Sequence, residues 1–153
     1  MGKIITATAG SIATDRPGPL YDGPAMSVAD TRFLRATPVL RVADYPAASA
    51  YWVDRLGFRI VEEGGDPPRF GILERDRAVV FLDAWHGGRP PRETGWDAYL
   101  HVRGLTALHD ELTAAGANVV RPVESTMYGM MEFEVLDPDG NRVCFGEDPE
   151  RTD

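Results

Sequence analysis

The feature that most constrains this chain is that its second half repeats the pattern of its first. Leu40-Arg-Val42 recurs as Leu100-His-Val102, Leu56-Gly-Phe58 as Ala115-Gly-Ala117, and Val80-Phe-Leu82 as Val143-Cys-Phe145. The copies therefore lie about sixty residues apart, a spacing steady enough to indicate an internal duplication. Each copy reads strand, helix, strand, strand, strand. This predicts an α+β fold of two β-α-β-β-β modules, at about 35–84 and 96–149, within a domain spanning 34–153.

The local signals agree with that division. Residues 36–42 alternate as a strand, with Pro38 near its start. Asp44 is a good N-cap and Pro46 falls in a first turn, where its missing N–H costs nothing. Ala48, Tyr51, Trp52 and Leu56 then follow at helical spacing, and Gly57 supplies the left-handed stop. Strands are predicted over 58–62, 69–74 and 78–83, and a loop over 85–95. The second copy gives a strand at 97–103, a helix carrying Leu105, Leu108, Leu112 and Ala115 that stops at Gly116, and strands at 118–123, 129–136 and 142–146. The last two strands are joined by Asp137-Pro-Asp-Gly140, where Pro presets one turn position and Gly140 supplies the positive φ of the exit.

Side chains alternate along a strand, so each strand sorts its residues onto two faces. One face collects Pro38, Leu40, Val42, Val80, Leu82, Leu100, Val102, Met131, Phe133, Val135, Val143 and Phe145, which a helix can cover. The other carries Thr37, Arg41, Glu74, Phe81, Asp83, Tyr99, His101, Arg103, Tyr128, Glu132, Glu134, Arg142 and Cys144. A flat sheet leaves such a face to solvent. A curled sheet turns it into the lining of a cup, an apolar and aromatic wall with a few placed polar groups, as ligand sites favour. Trp52, on the first helix, reads as core, and Glu134 suits a solvated strand end as well as a site.

Composition narrows the partners. The 153 residues carry a net charge of −8, which argues against nucleic acid or an anionic membrane surface, since both reward clustered Lys and Arg. A single cysteine, Cys144, rules out an intrachain disulfide and suits the cytoplasm. Residues 1–33 are rich in Gly, Ala, Thr, Ser and Pro without periodicity. They are expected to form a flexible tail, with Met26 as an alternative start and no apolar run of leader length.

Pro38-Val-Leu, Tyr51-Trp-Val-Asp-Arg-Leu-Gly-Phe58, Val102-Arg-Gly-Leu105 and Asp137-Pro-Asp-Gly-Asn141 resemble the vicinal oxygen chelate superfamily over about residues 35–149. That superfamily includes glyoxalase I, extradiol dioxygenases and fosfomycin-resistance enzymes. The motifs look most like its bleomycin-resistance proteins. The resemblance implies curled mixed sheets around a cup, a homodimer, and a flat small molecule held by aromatic stacking between two subunits. Tyr128 and Tyr99 stand where those proteins look to place tryptophans, and Tyr keeps the π face. Phe70, Phe81 and Trp85 would extend the wall, with Thr37, His101 and Cys144 as further cup residues. Glu132, Glu134 and Asp83 would make it negative, suiting a cationic and aromatic ligand.

The superfamily's metal enzymes place their ligands on the cup face of each module's first and last strands. Carried over, those places fall at Thr37, Phe81, His101 and Cys144. Only His101 is a usual ligand, so the resemblance implies a binder without cofactor. The alternative is a divalent-metal lyase, isomerase or dioxygenase with His101 as one ligand. No other constellation competes. His86 lies in the Gly/Pro-rich loop and His109 on a helix, with no nucleophile pattern beside either. Gly64-Gly65 and Gly87-Gly88 lack the strand-to-helix setting of a phosphate loop.

Overall fold

The computed structural model describes residues 28–88 and 95–151. The chain divides into two units, Met1–Leu34 and Arg35–Asp153. Of the first unit, one 3-10 turn is described at Val28–Asp30, closed by Thr31 N–H donating to Val28 O at 3.2 Å. The expectation of a tail over 1–33 falls mostly outside the described residues.

The second unit contains both copies of the repeat. The first comprises β1 (Val39–Arg41), α1 (Tyr45–Asp54), β2 (Arg59–Gly64), β3 (Phe70–Arg75) and β4 (Ala78–Asp83). The second comprises β5 (Ala98–His101), α2 (Leu105–Ala114), β6 (Asn118–Ser125), β7 (Met131–Leu136) and β8 (Arg142–Glu147). Each builds its own four-stranded mixed sheet, in the orders β1-β4-β3-β2 and β5-β8-β7-β6. The first and last strands of each copy run parallel and the other neighbours run antiparallel. The registers repeat as well: Val39 sits beside Phe81 in one sheet and Tyr99 beside Cys144 in the other. The fold is α+β with two open sheets. No helix among the described residues is long and apolar enough to cross a membrane.

The helix ends follow from the sequence. Asp44 Oδ1 accepts from Ala47 N–H at 3.0 Å, Pro46 lies in the first turn, and Gly57 takes φ 71° just past the end of α1. Helix α2 begins after Gly104, which has no side chain to cap it. Glu147 on β8 supplies the acceptor instead, taking Gly104 and Leu105 N–H at 2.8 and 2.9 Å. Those two donors hold the Glu147 carboxyl below its usual range.

The apolar faces meet the helices as the alternation predicts. Leu40, Val42, Leu73, Val80 and Leu82 pack with Tyr45, Ala48 and Trp52 of α1. Leu100, Phe133, Val135, Val143 and Phe145 pack with Leu105 and Leu112 of α2. Each such buried side chain contributes about 1.5–3 kcal/mol. Pro38, Val102 and Met131 are only half-buried, because they fall at or beyond strand ends.

The Asp137–Asn141 turn ties the copies together. Gly140 takes φ 78° and donates to Asp137 O at 3.0 Å, closing the turn. The buried Asp137 carboxylate accepts from Asp139 and Asn141 N–H and from Asn141 Nδ2, each at 2.9 Å. Trp52 Nε1 reaches it from the first copy at 3.3 Å. Ala43 N–H donates to Asp139 Oδ1 at 2.7 Å, and Asn141 Nδ2 to Arg41 O at 3.0 Å. Trp52 is fully buried, as its position on the helix predicts.

Two strands start more than one residue later than expected. The first begins at Val39, so Thr37 precedes the sheet. The seventh begins at Met131 rather than Gly129 because Thr126 folds the chain back: its N–H and hydroxyl both donate to Met130 O, and Gly129 takes φ 85°. Tyr128 therefore sits on a turn, not on a strand face.

Candidate functional site

With α2 covering one side of the second sheet, its other face collects the alternate residues of all four strands. Register sets them in rows. Tyr99 on β5 lies beside Cys144 on β8, Cys144 beside Glu134 on β7, and Glu134 beside Arg121 on β6. In the next row His101 lies beside Gly146, Gly146 beside Glu132, and Glu132 beside Glu124. Rings also run along the edge strand: Trp96 and Tyr99 lie 5.1 Å apart between centroids, and Tyr99 and His101 4.9 Å apart.

Glu132 is the centre of this face, with no exposed surface. A buried carboxylate costs several kcal/mol of desolvation unless its lone pairs are met. Here Oε1 accepts from Tyr99 and Tyr128 hydroxyls at 2.9 Å, and Oε2 from Arg121 Nη2 at 2.9 Å, with Tyr128 equally near. Glu134 accepts from Trp96 Nε1 at 2.8 Å, pairs with the same Arg121 nitrogen at 3.0 Å, and takes Arg142 Nη1 at 2.6 Å. Burial alone would raise both carboxyls. The hydrogen bonds outweigh it and hold both below the usual range. Burial and the bond to Glu132 push Tyr99 up, and the same two causes raise Tyr128.

The negative cup inferred from Glu132, Glu134 and Asp83 is therefore corrected. Arg121 and Arg142 match the two glutamates charge for charge, and Asp83 is bonded to His86 Nδ1 at 3.0 Å and to Trp85 N–H at 2.8 Å.

Of the residues read from the sequence, Tyr99, Tyr128, His101, Glu132 and Cys144 come together on this face. Phe70, Phe81 and Trp85 do not. They belong to the first sheet's helix-free side, where Phe70 and Phe81 meet edge to face at 5.3 Å and Arg69 lies 5.0 Å above the Trp85 ring. No hydrogen bond, ion pair or ring contact joins the two sets among the described residues. Trp96 and Arg121 complete the site without having been named for it, and Arg142, which the alternation placed on this face, joins them as the partner of Glu134. The signal for the arginines was present in the alternation, which puts them on the strands flanking two carboxylates. An open cleft of about 1080 Å³ runs from Tyr99, His101, Met130 and Gly146 to Pro38, Ala78 and Val79 of the first copy.

Burial, followed by Glu132 and Glu134, pushes the Cys144 thiol up to about 12, so it is a neutral thiol at neutral pH. Glu132 and Glu134 are held low by their hydrogen bonds, so neither is poised as a general base.

The proposed metal positions need correction too. The register partner of Phe81 is Val39, not Thr37, and that of Cys144 is Tyr99, while His101 lies across from Gly146. No group of three His, Cys, Asp or Glu converges among the described residues. This donor set does not fit a divalent ion.

A family model described as the Glyoxalase/Bleomycin resistance protein/Dioxygenase superfamily matches residues 33–145. Among solved structures, the bleomycin-binding protein from bleomycin-producing Streptomyces verticillus, complexed with copper(II)-bleomycin, is 29% identical, covering 75% of this chain and 96% of that one, at TM-score 0.58. A bleomycin resistance determinant encoded on the transposon Tn5 is 22% identical over 76% of this chain and 99% of its own, at TM-score 0.65. TioX from Micromonospora sp. ML1 is 20% identical over 76% and 99%, at TM-score 0.62. The last two likenesses carry the fold alone. No curated protein matches the chain.

Proposed function

Because the chain belongs to the Glyoxalase/Bleomycin resistance protein/Dioxygenase superfamily, we propose that it binds and sequesters a flat small molecule, an antibiotic or a metabolite, without covalent chemistry. The observation that carries this reading is the second sheet's helix-free face. Its rings lie in a row, Trp96, Tyr99 and His101, with Tyr128 bonded to Glu132, and its two buried glutamates are paired with Arg121 and Arg142. Such a surface offers π faces held rigid by buried hydrogen bonds, which suits stacking without reaction. The likeness to a protein solved with copper(II)-bleomycin supports the class of ligand.

The functional form is a cytoplasmic homodimer. A ligand stacked on Tyr99 and Tyr128 has only one wall from its own chain. The Phe70, Phe81 and Trp85 face of a second copy supplies an apolar wall of the right kind opposite it.

Calorimetric titration of chelator-treated protein with bleomycin and with smaller planar aromatics tests this. Saturable binding that survives metal removal and is lost in Tyr99→Ala is expected. Absence of binding across the panel, or turnover that returns with an added divalent metal, would overturn it.

A further inference from the structure

Resting on the reading of this face as a small-molecule site, we propose that Arg121 is its positioning residue. Acting through Glu132 and Glu134, it fixes where Trp96 stands relative to Tyr99 and Tyr128. The hydrogen bonds that hold these rings fall into two groups. Tyr99 and Tyr128 hydroxyls donate to Glu132 at 2.9 Å, and Trp96 Nε1 donates to Glu134 at 2.8 Å. Arg121 Nη2 lies 2.9 Å from Glu132 Oε2 and 3.0 Å from Glu134 Oε1. No other donor among the described residues is bonded to both carboxylates; Arg142 reaches Glu134 alone. One nitrogen therefore joins the two anchors, and a shift in either carboxylate passes to the other through it.

The strand that carries Arg121 is shaped to aim it. On β6, Val119, Arg121 and Glu124 pair with Val135, Glu134 and Glu132 of β7. Advancing two residues along β6 matches one on β7, then three match two, so a register shift lies on each side of Arg121. Such bulges bend a strand and re-aim its side chains. Pro122 lies inside the second. It has no N–H to give the ladder, and its ring restricts the backbone of Arg121 before it to extended conformations. The placement is not free of penalty, because Arg121 Nε is buried without a hydrogen-bond partner. The bulges, the proline and the unpaired donor all fall at the residue that joins the two anchors.

Tyr128→Phe keeps the ring and removes only the hydroxyl from Glu132. In isotope-labelled protein without ligand, it should move the indole N–H resonance of Trp96 on the other side of the network. In Arg121→Gln the same change should leave that resonance where Arg121→Gln alone puts it. Quinoline, titrated by calorimetry, should bind a folded Arg121→Gln protein on the order of tenfold more weakly than the wild type. A Trp96 resonance unmoved by Tyr128→Phe in an otherwise wild-type chain overturns the proposal, whether or not Arg121→Gln folds. Movement that persists in Arg121→Gln assigns the link to the ring contact of Trp96 with Tyr99 and overturns the role of Arg121. Unchanged quinoline affinity in Arg121→Gln overturns it as well. With quinoline still bound by the wild type, each of these results leaves the stacking site standing. Failure of quinoline to saturate the wild-type protein overturns the site reading and this proposal with it.

Discussion

The Tyr99 ring lies directly over Gly146, whose position leaves no room for any Cβ beneath the phenol. The glycine is what allows a side chain from the edge strand to cross β8 and hydrogen-bond Glu132 on β7 at 2.9 Å. Gly146→Ala should push Tyr99 off the carboxylate and cost about 1–3 kcal/mol. In urea unfolding, Gly146→Ala with Tyr99→Ala should then cost less than the sum of the single changes, because the clash has lost one party. Strict additivity would mean that the two residues are not coupled.

Glu132 and Glu134 set a pH dependence of definite sign. Both are held low in the folded protein and return to the ordinary carboxylate range on unfolding. The unfolded chain therefore binds more protons in that window, and stability falls as pH drops through it. Asp137 acts the other way. Burial raises its folded value, so its contribution is lost as pH rises. Urea midpoints measured from about pH 6 to about pH 3 should fall in the wild type. The slope should be shallower in Glu132→Gln, and an unchanged slope would remove Glu132 as a source.

The clamp between the two copies makes its own prediction. Trp52→Phe fills most of the same space but withdraws the indole N–H from the buried Asp137 carboxylate. A loss of about 1–3 kcal/mol is expected, the cost of leaving a buried acceptor short of a donor. A midpoint in urea within error of the wild type would show that Trp52 contributes through packing alone.

The repeat, the strand faces and the helix stops at Gly57 and Gly116 were legible in the sequence because they are local. They depend on period, caps and the conformational freedom of single glycines. The site was legible only in part. Tyr99, Glu132 and Cys144 follow from alternation within their own strands, but the charge balance depends on Arg121 and Arg142, which reach the carboxylates across strand pairs. Register is fixed by packing and turns, and Val119/Arg121 carries a bulge that no alternation pattern announces. Alternation over residues 36–42 assigns Thr37 to the first strand, but that strand starts at Val39, three residues later than expected, so Thr37 precedes it.

Tyr128 separates stacking from hydrogen bonding. It is 60% exposed on a turn and touches the buried network only through its hydroxyl. Tyr128→Phe should keep most of the affinity for a planar ligand, and Tyr128→Ala should lose about 0.5–1.5 kcal/mol of it. Calorimetry on both variants reads the difference. Equal losses would assign the contribution to the hydroxyl.

The most direct measurement is the indole N–H resonance of Trp96 during titration with a planar aromatic ligand. That proton is bonded to Glu134 at 2.8 Å, and its ring lies 5.1 Å from Tyr99, so a ligand stacked on this face must perturb it. The account predicts a saturable shift at Trp96, with the amides of Tyr99, Tyr128 and Glu132 moving in step and the indole of the buried Trp52 unchanged. Saturable binding that leaves Trp96 still while shifting the Phe70 and Phe81 side of the first sheet would contradict it.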